Sequence, residues 1–418
     1  MPNTIISIEK INIYLLPLAA FFILISTAAT NFFLILTVFS AFILCIKDNS
    51  FDEIFRNDFF FKICFLIFFL FVISSSYTIA EPNETLNSLK KYIKIIYIPF
   101  LFYYLKTFKN HDLVLKYFLI GATFILVLSY VKYFFFINME NFYKDIKFLN
   151  ISVNIDIIET RSSVFQNRII QGVALSFYSF LCLYYAKKNN NLILYFLSIL
   201  AFINIIFMSD SRTAYILITF LFAFSFFKII TNNKFRLFFL SLIILLMTTN
   251  FSNNLEHRIN LTKNNIKQIQ DENYNSSIGM RYIWLKVGVQ NFLDEPILGN
   301  GVGSFYKLIE NYLDKKNIKY VNGNSEIGSS EGISSNPLVT NNPHSEFVSI
   351  SVQLGILGLL SFFIFLYLLF INCNSPMSVA TFIVVLISSL FNSAFYDNML
   401  GLFLIILISL FYKNKVKN

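Results

Sequence analysis

Charge is what this sequence has least of. Only 14% of its 418 residues are Asp, Glu, Lys or Arg, against roughly 25% in a soluble domain. With 56% hydrophobic residues, 52 Phe and a mean hydropathy of +0.63, that shortage excludes a soluble globular chain and indicates a polytopic membrane protein. Acidic residues are missing from the interior of every apolar run, which argues against a proton- or sodium-coupled transporter. No Asp-x-Asp pair occurs, so a metal-dependent sugar transferase has no obvious ligand set, and no Gly-x-Ser-x-Gly marks a serine nucleophile. The four cysteines, Cys45, Cys64, Cys182 and Cys373, show neither paired nor metal-ligand spacing and read as apolar fillers. A cleavable signal pattern is also missing, so the first span is expected to start insertion itself. With only three histidines and one tryptophan, the placement of each is informative.

What is present is a series of long apolar runs. Crossing a ~30 Å hydrocarbon layer takes about 20 mostly apolar residues, and unbroken rather than alternating runs mean helices. About twelve candidate spans lie near 11–29, 31–46, 60–80, 92–105, 113–137, 169–186, 191–208, 213–228, 235–250, 346–371, 377–395 and 398–412. Only Thr30-Asn31 separates the first two, which leaves a single bent span open. Cations occupy alternate loops, from Lys10 through Lys47, Arg56 and Lys62 to Lys413, Lys415 and Lys417. By the positive-inside rule both termini are expected to be cytoplasmic. The net charge of +9 is then mainly a topology signal rather than a nucleic-acid surface, and the lipid bilayer is the first partner. The expected fold is therefore all-α, with N-terminal spans over 1–250, a large outer segment over 251–345 and C-terminal spans over 346–418. An outer loop near 138–168 and the turn Ser209-Asp210-Ser211-Arg212 fall on the same side as the large segment.

The outer segment carries its own signals. Ile278, Tyr282, Leu285, Val289 and Phe292 recur at helical spacing, predicting an amphipathic helix over 277–293 that contains Trp284, a residue type favoured at membrane interfaces. Asp294-Glu295-Pro296 ends it. The following Gly299-Asn300-Gly301-Val302-Gly303 reads as a tight backbone turn, with direct phosphate contact as the lesser alternative because no Lys-Ser/Thr ending or preceding strand is present. The Gly-, Ser- and Asn-rich stretch 321–340 reads as a lid-like loop.

Two residue types could do chemistry there. His344 lies in Asn341-Asn342-Pro343-His344-Ser345-Glu346, where Asn342 fits a helix cap and Pro343 a first helical position. In a first helical turn the dipole disfavours imidazolium, so His344 should be neutral and able to act as a general base; an interfacial capping role is the plainer alternative. His111 and His257 read as structural. Arg161, Arg168, Arg212 and Arg281 are cations at outer positions, against the insertion preference. Snorkelling or pairing, with Asp210 available to Arg212, explains them one way. A cluster for an anion explains them another, because Arg grips phosphate oxygens through a planar fork.

Taken together, Ser211-Arg212-Thr213, Arg281-Tyr282-Ile283-Trp284, Pro296 through Gly303, Asn342-Pro343-His344 and Leu354-Gly355-Ile356-Leu357-Gly358 resemble the O-antigen ligase and polymerase superfamily of bacterial envelope biogenesis. The resemblance covers mainly 205–365 and implies a helical membrane glycosyltransferase of the C type, needing neither metal nor cofactor. Such ligases move a glycan from undecaprenyl diphosphate to a sugar hydroxyl of the lipid A core, on the periplasmic face of the bacterial inner membrane. It implies that Arg212 and Arg281 hold the diphosphate and that His344 activates the acceptor hydroxyl. Arg168, Arg161 and Trp284 are expected to contribute to substrate binding. An O-antigen polymerase and a protein O-oligosaccharyltransferase would use the same donor; a membrane transporter is the non-enzyme alternative.

Overall fold

A computed structural model describes residues 2–50, 58–136, 163–209, 211–228, 276–316 and 339–412, with a few further positions between 263 and 274. All regular structure among these residues is helical. The expected span at 235–250, Asp210, Arg161, His257, most of the loop 138–168 and nearly all of the lid-like stretch 321–340 lie outside the described residues.

The first two runs are separate helices, α1 (Pro2–Phe22) and α2 (Thr27–Lys47), which pack on each other. The break falls earlier than Thr30-Asn31 because Ser26 caps α2, accepting the Ala29 N–H at 3.3 Å and, through its carbonyl, the Thr30 hydroxyl at 2.8 Å. Then come α3 (Phe59–Ser74), α4 (Pro82–Tyr92), a 3-10 turn (Ile93–Ile96), α5 (Tyr97–Phe108) and α6 (His111–Phe136). α7 (Arg168–Asn189) is followed by α8 (Leu192–Ile203), which runs on as a π turn over Asn204–Met208, and by α9 (Arg212–Lys228). The remaining helices are α10 (Ser277–Asp294), α11 (Phe305–Lys315), α12 (Glu346–Ile371), α13 (Pro376–Phe391) and α14 (Asn398–Phe411). Four of them, α2, α6, α7 and α12, are long and apolar enough to cross a membrane, and shorter apolar helices surround them. Exposed side chains on the outer sides of this bundle, such as Phe39, Phe69, Phe363 and Phe370, are the apolar surface a bilayer would cover. Cys45, Cys64 and Cys182 are buried and Cys373 is half-buried, and none of the four is in a disulfide.

One apolar core runs through the bundle, and a second joins α10 and α11 to the start of α12 through Ile283, Trp284, Val287, Phe305, Ile309, Val348 and Val352. The helix expected over 277–293 is present as α10, but its packed face is not the one the spacing suggested. Ile283 and Val287 are fully buried, whereas Tyr282, Leu285 and Val289 stand 44%, 53% and 49% exposed. Both sides of α10 are apolar, so periodicity selected the outward stripe. The bundle selects the other because Gly288 lets the helices touch: a Cβ there would lie 2.4 Å from Val348 Cγ1.

α12 is broken inside its span. Gly355 takes φ 60°, ψ −151°, which is not helical, and the glycine-rich loop after α10 fills the gap. Asn300 and Gly301 donate their N–H groups to the carbonyls of Val352 and Gln353 at 2.8 and 3.0 Å, while Ile356 donates to the Pro296 carbonyl at 2.8 Å. Irregular backbone at this depth survives only where protein satisfies it, and here the loop does so. The same loop is tied to α3, with Val302 donating to Ser74 Oγ at 3.1 Å, and Gly303 donates to Gln353 Oε1 at 2.8 Å. Gly299 donates to the Glu295 carbonyl at 3.1 Å. Every amide from 299 to 303 is thus committed, which answers the alternative raised by the sequence: these glycines make a structural plug and offer no N–H to a phosphate.

Candidate functional site

The segment carrying His344 is built by short polar side chains. Asn341 accepts the Tyr306 N–H at 2.9 Å and donates to Glu84 Oε2, fixing the segment to α11 and α4. Asn342 Oδ1 accepts the His344 N–H at 3.0 Å and its own N–H goes to Thr340 Oγ1 at 3.0 Å. Asn342 therefore makes an Asx turn on His344 rather than capping α12. The helix starts later, at Glu346, with extended Ser345 in the cap position. His344 is consequently outside the first helical turn, contrary to expectation. Its φ of +52° is left-handed, a region His enters more readily than bulky residues do.

Neutrality of His344 has a different cause from the one the sequence suggested. Burial comes first, holding the imidazole down to about 4, and the positive charge of Arg281 adds to it. The ring lies on the indole of Trp284, with centroids 5.1 Å apart and planes inclined by 21°. Trp284 is thus a buried platform rather than an interfacial anchor, and one of its faces is already occupied. This contact follows from the Gly288 approach, which seats α10 against the first turns of α12 one helical turn beyond Trp284.

Three arginines from three helices converge. Arg281 is half-buried on α10, where Ser276 caps the helix by accepting the Gly279 N–H at 3.0 Å. Burial, then the charges of Arg212 and Arg168, weaken its hold on its proton, so both of these guanidinium groups lie within reach of Arg281. Arg212 opens α9 and Arg168 opens α7, where Asn167 Oδ1 accepts the Ile169 and Ile170 N–H groups at 3.0 Å each. Gly172 brings these helix starts together, since a Cβ at this position would sit 2.6 Å from Ala214 Cβ and 3.2 Å from Ser211 Cβ. Gathering like charges is unfavourable unless an anion offsets them, and arginine stays charged whatever its surroundings. The arrangement is suited to a polyanion such as a diphosphate.

Asn392, which no sequence signal singled out, connects His344 to Thr213 beside Arg212. It ends α13 in extended conformation, and its carbonyl accepts the Glu346 N–H at 3.1 Å. Its Nδ2 donates to Thr213 Oγ1, next to Arg212, at 3.3 Å. The side chain lies against the imidazole and favours its charged form, yet Oδ1 closes no hydrogen bond of ordinary geometry with any described residue. The 377–395 apolar run hid it, because an Asn inside an apolar stretch gives no pattern of its own. Glu346 is fully buried, and its Oε2 accepts the Phe395 N–H at 2.8 Å.

Among the expected site residues, His344, Trp284 and Arg281 are thus brought together, with Arg212 and Arg168 acting on Arg281. Arg161 is outside the described residues. Comparison with known proteins gives one family: residues 196–363 match the family model described as O-antigen ligase. The resemblance to the O-antigen ligase and polymerase superfamily therefore holds over this stretch, which contains Arg212, Arg281, Trp284 and His344 but neither Arg168 nor Asn392. No curated protein matches the chain.

Proposed function

We propose that this chain is an O-antigen ligase-type glycosyltransferase that moves a glycan from undecaprenyl diphosphate to a sugar hydroxyl of the lipid A core. The single observation that carries the reading is the neutral His344 imidazole set beside Arg281, which in turn feels Arg212 and Arg168. A base that is unprotonated at neutral pH, adjoining a cluster of diphosphate-sized charge, suits transfer from a lipid-linked donor to a hydroxyl.

In this mechanism His344 removes the acceptor hydroxyl proton as that oxygen attacks the anomeric carbon. The bond from that carbon to the diphosphate oxygen breaks, and its electron pair leaves on the diphosphate. Arg281, Arg212 and Arg168 hold the growing charge, preorganised donors of this kind typically supplying a few kcal/mol each. The imidazolium then returns its proton to the released diphosphate or to solvent. A positioned base contributes about 10²–10⁴-fold. Attack from the face opposite the leaving group inverts the anomeric centre. The scheme uses no metal or cofactor.

The surrounding architecture follows the same reading: about twelve crossings of the bacterial inner membrane, with the site on the periplasmic rim between the parts 1–250, 251–345 and 346–418. Polymerase and protein O-oligosaccharyltransferase chemistry differ from this only in the acceptor. Complementation of a ligase-deficient Gram-negative strain separates them. Wild-type chain should restore high-molecular-weight lipopolysaccharide ladders, and His344→Ala should not. Full ladders from both His344→Ala and Arg281→Ala at normal expression would overturn the site. A native-gene deletion that collapses ladders to one repeat would reassign it to polymerisation.

A further inference from the structure

The Asn392 side chain reaches from His344 to Thr213, the residue after Arg212. The backbone N–H of Asn392 goes to the Ser388 carbonyl at 2.9 Å, its carbonyl accepts the Glu346 N–H at 3.1 Å, and its Nδ2 donates to Thr213 Oγ1 at 3.3 Å. The backbone is thereby fixed to α13 and α12, and the carboxamide is anchored at its nitrogen to α9. What remains is Oδ1, a buried acceptor in a side chain only 4% exposed, facing an imidazole that must carry one N–H when neutral. A buried acceptor without a partner is costly, at a full desolvation penalty, unless something occupies it during function. In the neutral ring one nitrogen donates and the other accepts, so whichever group takes the N–H decides which nitrogen is free.

We propose that Asn392 is a positioning residue: its Oδ1 accepts the His344 ring N–H, fixes the tautomer and turns the other ring nitrogen toward the acceptor hydroxyl. This rests on the reading of His344 as the base. The other groups facing the imidazole are accounted for. Arg281 on α10 opposes its protonation, Trp284 covers one ring face, and Glu346 on α12 is held by the Phe395 N–H.

The test uses the chain in detergent, with diethyl pyrocarbonate as the probe, since of the two forms of imidazole this reagent acylates only the unprotonated one. Modification of His344 is followed by peptide mass spectrometry across pH, with His111 as internal reference. Asn392→Asp is nearly isosteric and puts a carboxylate where Oδ1 stands. The midpoint at His344 should rise by about one pH unit or more, as an opposite charge in contact favours the charged form. An unchanged midpoint in Asn392→Asp overturns the proposal, because a residue that merely ends α13 would not move it. In parallel, Asn392→Ala is assayed with a short-chain polyprenyl-diphosphate oligosaccharide as donor. It should lose up to the ~10²–10⁴-fold that a positioned base supplies, in kcat, with the donor KM little changed. If Asn392→Ala fails to fold, the Asp titration still decides. The two readings fail separately: active His344→Gln removes the base, whereas inactive His344→Gln beside fully active Asn392→Ala removes only the positioning role.

Discussion

The imidazole of His344 lies nearly parallel to the indole of Trp284, 5.1 Å between ring centroids and 21° between planes. The two residues are sixty positions apart in the chain, and the contact exists because α10 is pressed against α12 at Gly288. Offset stacking of this kind is worth about 0.5–1.5 kcal/mol beyond burial. Trp284→Ala should cost roughly 3–5 kcal/mol of stability as a large-to-small change in a packed site. Trp284→Phe keeps a ring under the imidazole and should lose far less. Melting curves in detergent and the lipopolysaccharide ladder of each variant check this; equal behaviour of the two variants would mean that the platform is irrelevant.

Activity that depends on neutral His344 should be level through neutral pH and fall only as pH approaches about 4. The stability sign follows. An unfolded His titrates near 6.5 and the folded one near 4, so the unfolded state takes up protons first as pH drops. The contribution to stability is complete above 6.5 and diminishes down to about 4. Arg281→Gln removes one of the two causes of the depression and should move the His344 midpoint upward, part of the way to 6.5. Acylation of His344 across pH measures it, and a midpoint that stays put or drops would contradict the assigned neighbourhood.

Gly172→Leu tests what gathers the cations. Any side chain there collides with Ala214 Cβ, so α7 and α9 must separate and take Arg168 away from Arg212. Overpacking typically costs about 1–3 kcal/mol. Activity should fall further than the shift in melting temperature explains, because the proposed diphosphate site draws on both helices. Gly172→Leu with wild-type ladders would show that the spacing of these arginines does not matter.

Gly355→Ala addresses the broken span. At φ 60°, ψ −151° only glycine is at ease, and a Cβ would fall 2.4 Å from the Ile297 carbonyl oxygen. Strain alone is of order 1–3 kcal/mol, before any clash. Reduced membrane accumulation and a lower melting temperature are expected. A variant indistinguishable from wild type would imply that α12 can run straight.

The sequence revealed the all-helical class and most of the described helices, and it pointed to the residue types of the candidate site, because long apolar runs and isolated cations are local signals. His344 and Arg281 stood out for the same reason. What it could not reveal depends on contacts between distant segments. The stripe of α10 that packs was hidden because both stripes are apolar, so Leu285 looked like a core residue although it is 53% exposed. The start of α12 was misplaced because Asn342 and Pro343 fit a helix cap equally well in the abstract; only the neighbouring Thr340 and the left-handed backbone at His344 decide against it. Asn392 and Glu84 had no pattern at all, since their roles lie in what another helix brings to them.

The plug formed by residues 296–303 in the gap of α12 also sets a rule for tolerated change. Each amide from 299 to 303 has its own acceptor, on α12, on α3 or on the loop's own start, so adding or deleting a single residue between Pro296 and Gly303 would throw the whole set out of step. Because α10 leads straight into that loop, the slip would travel to Arg281 and Trp284. Length variation in this stretch should therefore be lethal to activity, even though its amides are all spent on the fold itself.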